Sequence, residues 1–168
     1  MESQQYCTTA FLDVSKAFDK LWHPGLLFKI KRILLSSYFN LLKSYLNERQ
    51  FETKINGETS SSFHIHSGVT QGSILGPPLN VLYKSDLPTF KETTLGTFAD
   101  DTAICVTHED LTITPLNLQE HLDIFEKWVK EWKIKVNESK LLHTNFNSRK
   151  SHCPTVNSDR TIYFKQKQ

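Results

Sequence analysis

The sequence predicts an α+β domain of the split βαβ, or ferredoxin-like, kind: an antiparallel sheet with helices packed on one face. Three observations lead there. Apolar spacing switches from alternating to helical and back, in the order strand, helices, hairpin, helix, hairpin, helix, strand. Acids interrupt two apolar strand runs, at Asp13 and at Asp100-Asp101, and neighbouring central strands are the placement that brings them together. At 168 residues, with no repeat and no visible internal boundary, the chain suits a single architecture with a real core.

Composition narrows the function classes only a little. Charged residues make up 23% and the net charge is +2, which permits a nucleic-acid partner without requiring one. The basic residues Lys29, Lys31, Arg32, Lys43, Arg49 and Lys54 crowd the first third. Cys7, Cys105 and Cys153 are odd in number and far apart, with no CxxC pair, so neither a disulfide framework nor a zinc ribbon is favoured. No apolar run reaches membrane-spanning length, and Met1-Glu2-Ser3-Gln4-Gln5 has no signal-peptide pattern. An intracellular protein, cytoplasmic or nuclear, in a reducing compartment is expected.

Thr8 to Val14 reads as a short buried strand that carries an acid, Asp13. After a turn at Ser15 to Asp19, Pro24 suits a first helical turn, and Leu26, Leu27, Ile30, Ile33 and Leu34 recur at helical spacing. Ser36 or Ser37 is the expected cap of a second helix, with Tyr38, Leu41, Leu42, Tyr45 and Leu46 on one side. The period then alternates. Phe51, Thr53 and Ile55 face one way, Asn56-Gly57 begins a turn, and Phe63 and Ile65 return. His64 and His66 share a face, but two ligands without a third read as solvent-facing histidines.

Gly68 to Gly76 is a glycine-punctuated loop without a P-loop or dinucleotide fingerprint, and Pro77-Pro78 follows where a helix can start. Asp86-Leu87-Pro88 ends that helix. Thr114-Pro115 opens a long helix with Leu118, Leu122, Phe125, Val129 and Trp132 on its apolar side, and the pairs Asp123 with Lys127 and Glu126 with Lys130 on its wet side. Trp128 and Trp132 read as packing residues. Leu141 to Phe146 is a last strand, and Tyr163-Phe164 hints at a further one.

The acids carry the chemistry. A tight hairpin centred on Asp100-Asp101 presents both carboxylates at one edge, and the split βαβ order sets Asp13 beside them. Carboxylates gathered in this way repel unless a cation sits between them, and Mg²⁺ prefers such oxygen ligands together with substrate phosphates. Two such ions, about 3.5–4 Å apart, activate an attacking hydroxyl and stabilise the leaving oxygen of a phosphoryl displacement. That is polymerase or nuclease chemistry.

Four stretches also carry a family resemblance. Ala10-Phe11-Leu12-Asp13-Val14-Ser15-Lys16-Ala17-Phe18-Asp19-Lys20-Leu21-Trp22-His23, Gly68-Val69-Thr70-Gln71-Gly72-Ser73-Ile74-Leu75-Gly76-Pro77 and Phe98-Ala99-Asp100-Asp101 resemble motifs A, B and C of reverse transcriptases. Trp132 to Lys140 resembles the motif D that follows, and the type is that of jockey-like non-LTR retrotransposons.

The resemblance implies a polymerase palm over residues 1–154 with a C-terminal tail at 155–168, acting as an RNA-directed DNA polymerase. The partners it implies are an RNA template, a DNA primer and deoxynucleoside triphosphates, with no membrane. It also implies two Mg²⁺ ions, replaceable by Mn²⁺, with Asp13 and Asp100 as ligands to both and Asp101 as a less stringent third acid. Phe18 matches the bulky residue that closes the sugar pocket against a 2′-hydroxyl, and Gln71 and Gly72 match the loop lying against nucleotide and template. Lys140 matches a lysine thought to protonate the pyrophosphate leaving group, while Asp19 and Lys16 match the pattern without being ligands. Thr70 and Pro78 depart from it, standing where the family usually has proline and leucine. Fingers and thumb segments are expected to lie outside these 168 residues, and a non-catalytic remnant or binding module keeping the palm fold is the rival reading.

Overall fold

The computed structural model describes residues 5–110 and 112–147; the expected tail at 155–168, with Tyr163-Phe164, lies outside them. The elements in order are β1 (Tyr6–Asp13), α1 (His23–Ile33), α2 (Ser36–Leu46), β2 (Gln50–Phe51), β3 (Lys54–Ile55), β4 (Glu58–Thr59) and β5 (Phe63–His64). They continue with α3 (Gly76–Tyr83), β6 (Thr93–Phe98), β7 (Asp101–His108), α4 (Ile113–Glu131), a 3-10 turn (Glu138–Lys140) and β8 (Leu142–Asn147). An α+β chain is observed, as expected. The residues group into two compact units, and the first is assembled from three separate segments. No shift of composition marks a unit whose pieces are interleaved with the other along the chain.

The first unit takes its described residues from Met1–Ser15, Leu87–Glu131 and Lys135–Gln168. Its sheet has the order β6-β7-β1-β8, with every neighbouring pair antiparallel. Alternation sorts the two faces. Thr8, Ala10 and Leu12 of β1 and Thr102, Ile104 and Val106 of β7 are buried on one face, where α4 packs with Leu118, Leu122, Phe125 and Val129. Each such aliphatic or aromatic side chain contributes about 1.5–3 kcal/mol by leaving water. The other face carries Phe11, Asp13, Asp101 and Ala103.

On α4 the Glu126–Lys130 ion pair forms, whereas Asp123 accepts from Gln119 Nε2 at 2.8 Å. Trp128 is buried as a packing residue. Trp132 is also a packing residue, but it lies past the end of α4 at Glu131 and packs against the core of the second unit.

That second unit comprises Lys16–Asp86 and Trp132–Ile134. Leu21, Leu26, Ile30, Leu42, Leu46, Val69, Leu79 and Tyr83 form its core. Pro24 stands in the first turn of α1, and Lys31 and Arg32 meet the negative end of the helix in its last turn. Neither serine caps α2: Leu35 occupies the cap position without a side-chain hydrogen bond, and Ser36 and Ser37 lie inside the helix. The expected strand at 51–55 is broken into two-residue ladders, β2 with β5 and β3 with β4, whose residues are all exposed. With no face to bury, nothing holds a continuous ladder.

Lys29 ties the unit together. It is only 4% exposed, donates to Tyr83 O at 2.6 Å and to Asp86 Oδ1, and lies 3.7 Å from the centre of the Trp132 ring. A buried ammonium is tolerated when carboxylate, carbonyl and π face all answer its charge.

Candidate active site

Alternation and the length of one turn build the site. Ala99 and Asp100 form a two-residue turn between β6 and β7, with Ala99 at φ +51°, where primed hairpin turns need a positive angle. Phe98 then pairs with Asp101 in register, and Asp101 stands directly opposite Asp13 of β1. Opposed residues of an antiparallel pair share a face, with Cβ atoms about 4.5–5.5 Å apart. Two like charges so placed weaken the ladder, by about as much as a good pair gains, roughly 0.2–1 kcal/mol.

The protein supplies a counter-charge of its own. Beyond the end of β1, Asn137 N donates to Asp13 O and Ser15 N donates to Lys135 O, both at 2.8 Å, which draws the 135–140 segment alongside. The 3-10 turn then carries Lys140 to the acid, where its Nζ lies 3.3 Å from Asp13 Oδ1. Asp13, Asp101 and Lys140 line an open basin of about 600 Å³ together with Phe11, Gly96 and Phe98.

Within the first unit the structure therefore brings Asp13, Asp101 and Lys140 together, and sets Asp100 beside them in the turn. Phe18, Gln71 and Gly72 belong to the second unit. Phe18 is half-buried against that unit's core, and its carbonyl accepts from Val69 N at 2.7 Å. Gln71 Nε2 donates to Asp19 Oδ1 at 3.1 Å. Gly72 is exposed at φ +81°. Gly68 has a stricter reason to be glycine, since at φ +87° a Cβ would lie 2.6 Å from Asp19 O.

Sequence reasoning passed over two residues of the basin. Phe98 is 83% exposed on the same face as Asp101, and Phe11 is exposed two positions before Asp13. The signal for both was available, because period-2 alternation from Asp13 and a two-residue turn place them there. His23 was also missed; it is buried, with Nε2 2.6 Å from Gly68 O.

A resident metal is tested by the donor set. Among the described residues no three His, Cys, Asp or Glu side chains are close enough to hold an ion alone, His64 and His66 included. The two opposed carboxylates nonetheless fit Mg²⁺, which takes one or two carboxylates and completes its shell from waters and substrate phosphates.

Residues 1–161 match the family described as reverse transcriptase (RNA-dependent DNA polymerase). The chain belongs to that family. Among its reverse-transcriptase relatives is the RNA-directed DNA polymerase from mobile element jockey of Drosophila melanogaster, 39% identical over 164 residues. The jockey protein of Drosophila funebris is 35% identical, and a probable RNA-directed DNA polymerase from transposon X-element of Drosophila melanogaster 38%. These alignments cover 92–93% of this chain but only 18% of each relative, so the chain spans less than a fifth of their length. In fold, apo telomerase of Candida tropicalis truncated from its C-terminal domain matches 87% of the chain at a TM-score of 0.66 and 16% identity, over 32% of that structure. A second telomerase structure, in complex with a fragment of telomeric RNA, matches 88% at a TM-score of 0.65 and 13% identity, over 27% of that structure.

Proposed function

We propose that this chain is the palm of an RNA-directed DNA polymerase that extends a DNA primer on an RNA template with deoxynucleoside triphosphates. The observation that carries the reading is the register pair of Asp13 with Asp101 on the open sheet face, with Lys140 beside it. Numbered along the chain, the four long strands lie in the order 2-3-1-4, which supports the split βαβ palm. The names of the relatives, an RNA-directed DNA polymerase from mobile element jockey and a probable one from transposon X-element, support the reaction.

Asp13 and Asp100 would be ligands to both Mg²⁺ ions, as the resemblance implies, with Asp101, opposite Asp13 in register, as the less stringent third acid. The bound ions would supply a lowered pKa for the attacking 3′-hydroxyl and charge neutralisation at the leaving oxygen. This chain's own groups do the rest. Lys140, whose ammonium lies 3.3 Å from Asp13 Oδ1, would meet phosphate oxygens and deliver a proton to departing pyrophosphate. Phe18 would close the sugar pocket against a 2′-hydroxyl, and Gln71 and Gly72 would lie along nucleotide and template, where the absence of a side chain at Gly72 lets a strand approach.

The deciding experiment is Mg²⁺-dependent incorporation of deoxynucleotides onto a DNA primer annealed to RNA. Asp100→Asn keeps the shape and removes the charge, and should lower the rate by about 10²-fold or more, the scale of losing one group that stabilises developing charge. An unchanged rate in a folded Asp100→Asn variant would remove the carboxylate metal site from the mechanism.

A further inference from the structure

Arg49, between α2 and β2 in the second unit, carries a charge that no carboxylate among the described residues answers. Its carbonyl accepts from Ile65 N at 2.8 Å, so its backbone is pinned at the start of the hairpin. Among the described residues no carboxylate pairs with it. Its guanidinium lies 5.3 Å from the centre of the Tyr45 ring, and Nη2 donates to Thr70 Oγ1. Among the described residues Nη1 is buried with no acceptor. A guanidinium drawn partly out of water without a counterion is costly, and an orphaned charged donor compounds the cost.

What surrounds Arg49 favours a negative oxygen. The hydrogen bond between Tyr45 and Ser73, aided by Thr70 and by the Arg49 charge, holds the Tyr45 phenol below its ordinary value against burial that pushes it up. The tethered loop is open on its outer side: Gln71 and Gly72 are exposed, and their amides donate to no protein group among the described residues. Successive free amides around a positive-φ glycine make the kind of concavity that binds anions.

We propose that Arg49, with Thr70 and the open amides of Gln71 and Gly72, forms a phosphate subsite that takes one oxyanion of a nucleic-acid strand or of a nucleotide. The proposal rests on the polymerase reading and adds a phosphate contact to it. The planar fork of arginine suits two phosphate oxygens at once. A small shift of the guanidinium toward such an anion would also give Nη1 its acceptor.

The test compares the chain with Arg49→Gln and Arg49→Lys, after circular dichroism has checked each for folding. Anisotropy of a labelled RNA–DNA hybrid is followed against salt, and dTTP is titrated by calorimetry. If the phosphate belongs to the strand, Arg49→Gln should flatten the log–log salt dependence by about one unit and weaken binding alike on all sequences. If it belongs to the nucleotide, the dTTP dissociation constant should rise about tenfold or more while the hybrid slope stays, the scale of losing one charge-assisted hydrogen bond. Arg49→Lys keeps the charge and loses the fork, so it should keep the slope and lose affinity; it serves if the Gln variant does not fold. Unchanged binding of both ligands in either folded variant overturns the subsite alone. A chain that binds neither ligand overturns the polymerase reading and the subsite with it.

Discussion

At the scale of the residue, the pairing of Asp13 with Asp101 shows both what the chain discloses and what it conceals. Acids inside apolar runs announced a charged site, because a strand has little other use for them. Which acid would face Asp13 was not legible. It depends on Ala99 and Asp100 taking the turn, and alanine at φ +51° is not something turn composition signals. Lys140 then sets a measurable competition. Its Nζ is 3.3 Å from Asp13 Oδ1, so a divalent ion arriving at that carboxylate competes with it for the same negative charge. The lysine is largely exposed, which limits such a pair to about 0.2–1 kcal/mol. Lys140→Gln should therefore tighten Mn²⁺ binding to the nucleotide-free chain by up to about fivefold, the factor equivalent to 1 kcal/mol. Electron paramagnetic resonance of free Mn²⁺ reads this directly, and unchanged or weaker binding would mean that ion and lysine do not share Asp13.

At the scale of the element, burial decided which expectations held. The strand at β1 and the helix at α4 were legible because each buries one side, and that side must repeat at its own period. The expected 51–55 strand had alternation without burial, and it survives as short exposed ladders in which Phe51 stacks on Phe63 at 5.6 Å. The period of α4 ran on through Trp132 in the sequence, yet the helix stops one residue short. Tyr83 Oη donates to Trp132 O, Lys29 lies over the Trp132 ring, and burial pushes the Tyr83 phenol up to about 12, so it remains a donor. Of the α4 side chains, Phe125 is the largest that is fully buried. Phe125→Ala should cost about 3–5 kcal/mol in a urea titration, the range for emptying an aromatic site in a packed core. A cost below about 1 kcal/mol, the scale of ordinary surface changes, would mean that α4 is not a principal cover of the sheet.

At the scale of the whole molecule, stability should depend on pH through a histidine outside the acid site. His121 of α4 is fully buried, with Nε2 3.0 Å from Pro88 O and Nδ1 2.8 Å from Thr93 Oγ1. A neutral ring donates from Nε2 to Pro88 O and accepts at Nδ1 from the Thr93 hydroxyl, whose alternative acceptor is Phe90 O at 2.8 Å, and burial is what disfavours a second proton. Burial holds its pKa below the ordinary histidine value, against the Pro88 hydrogen bond that raises it. In the unfolded chain the same ring titrates near about 6.5. Below that pH the unfolded state takes up the proton first, so stability rises with pH across the interval between the two values. The contribution is complete above about 6.5 and is lost as pH falls beneath it, at no more than about 1.4 kcal/mol per pH unit for one group. Urea titrations between pH 7.5 and 5, over steps of about half a unit, should show that decline before the carboxylates begin to titrate near about 4. His121→Gln should be less stable at pH 7.5 but flatter across the same interval. A variant that keeps the full slope would assign the pH dependence to another group.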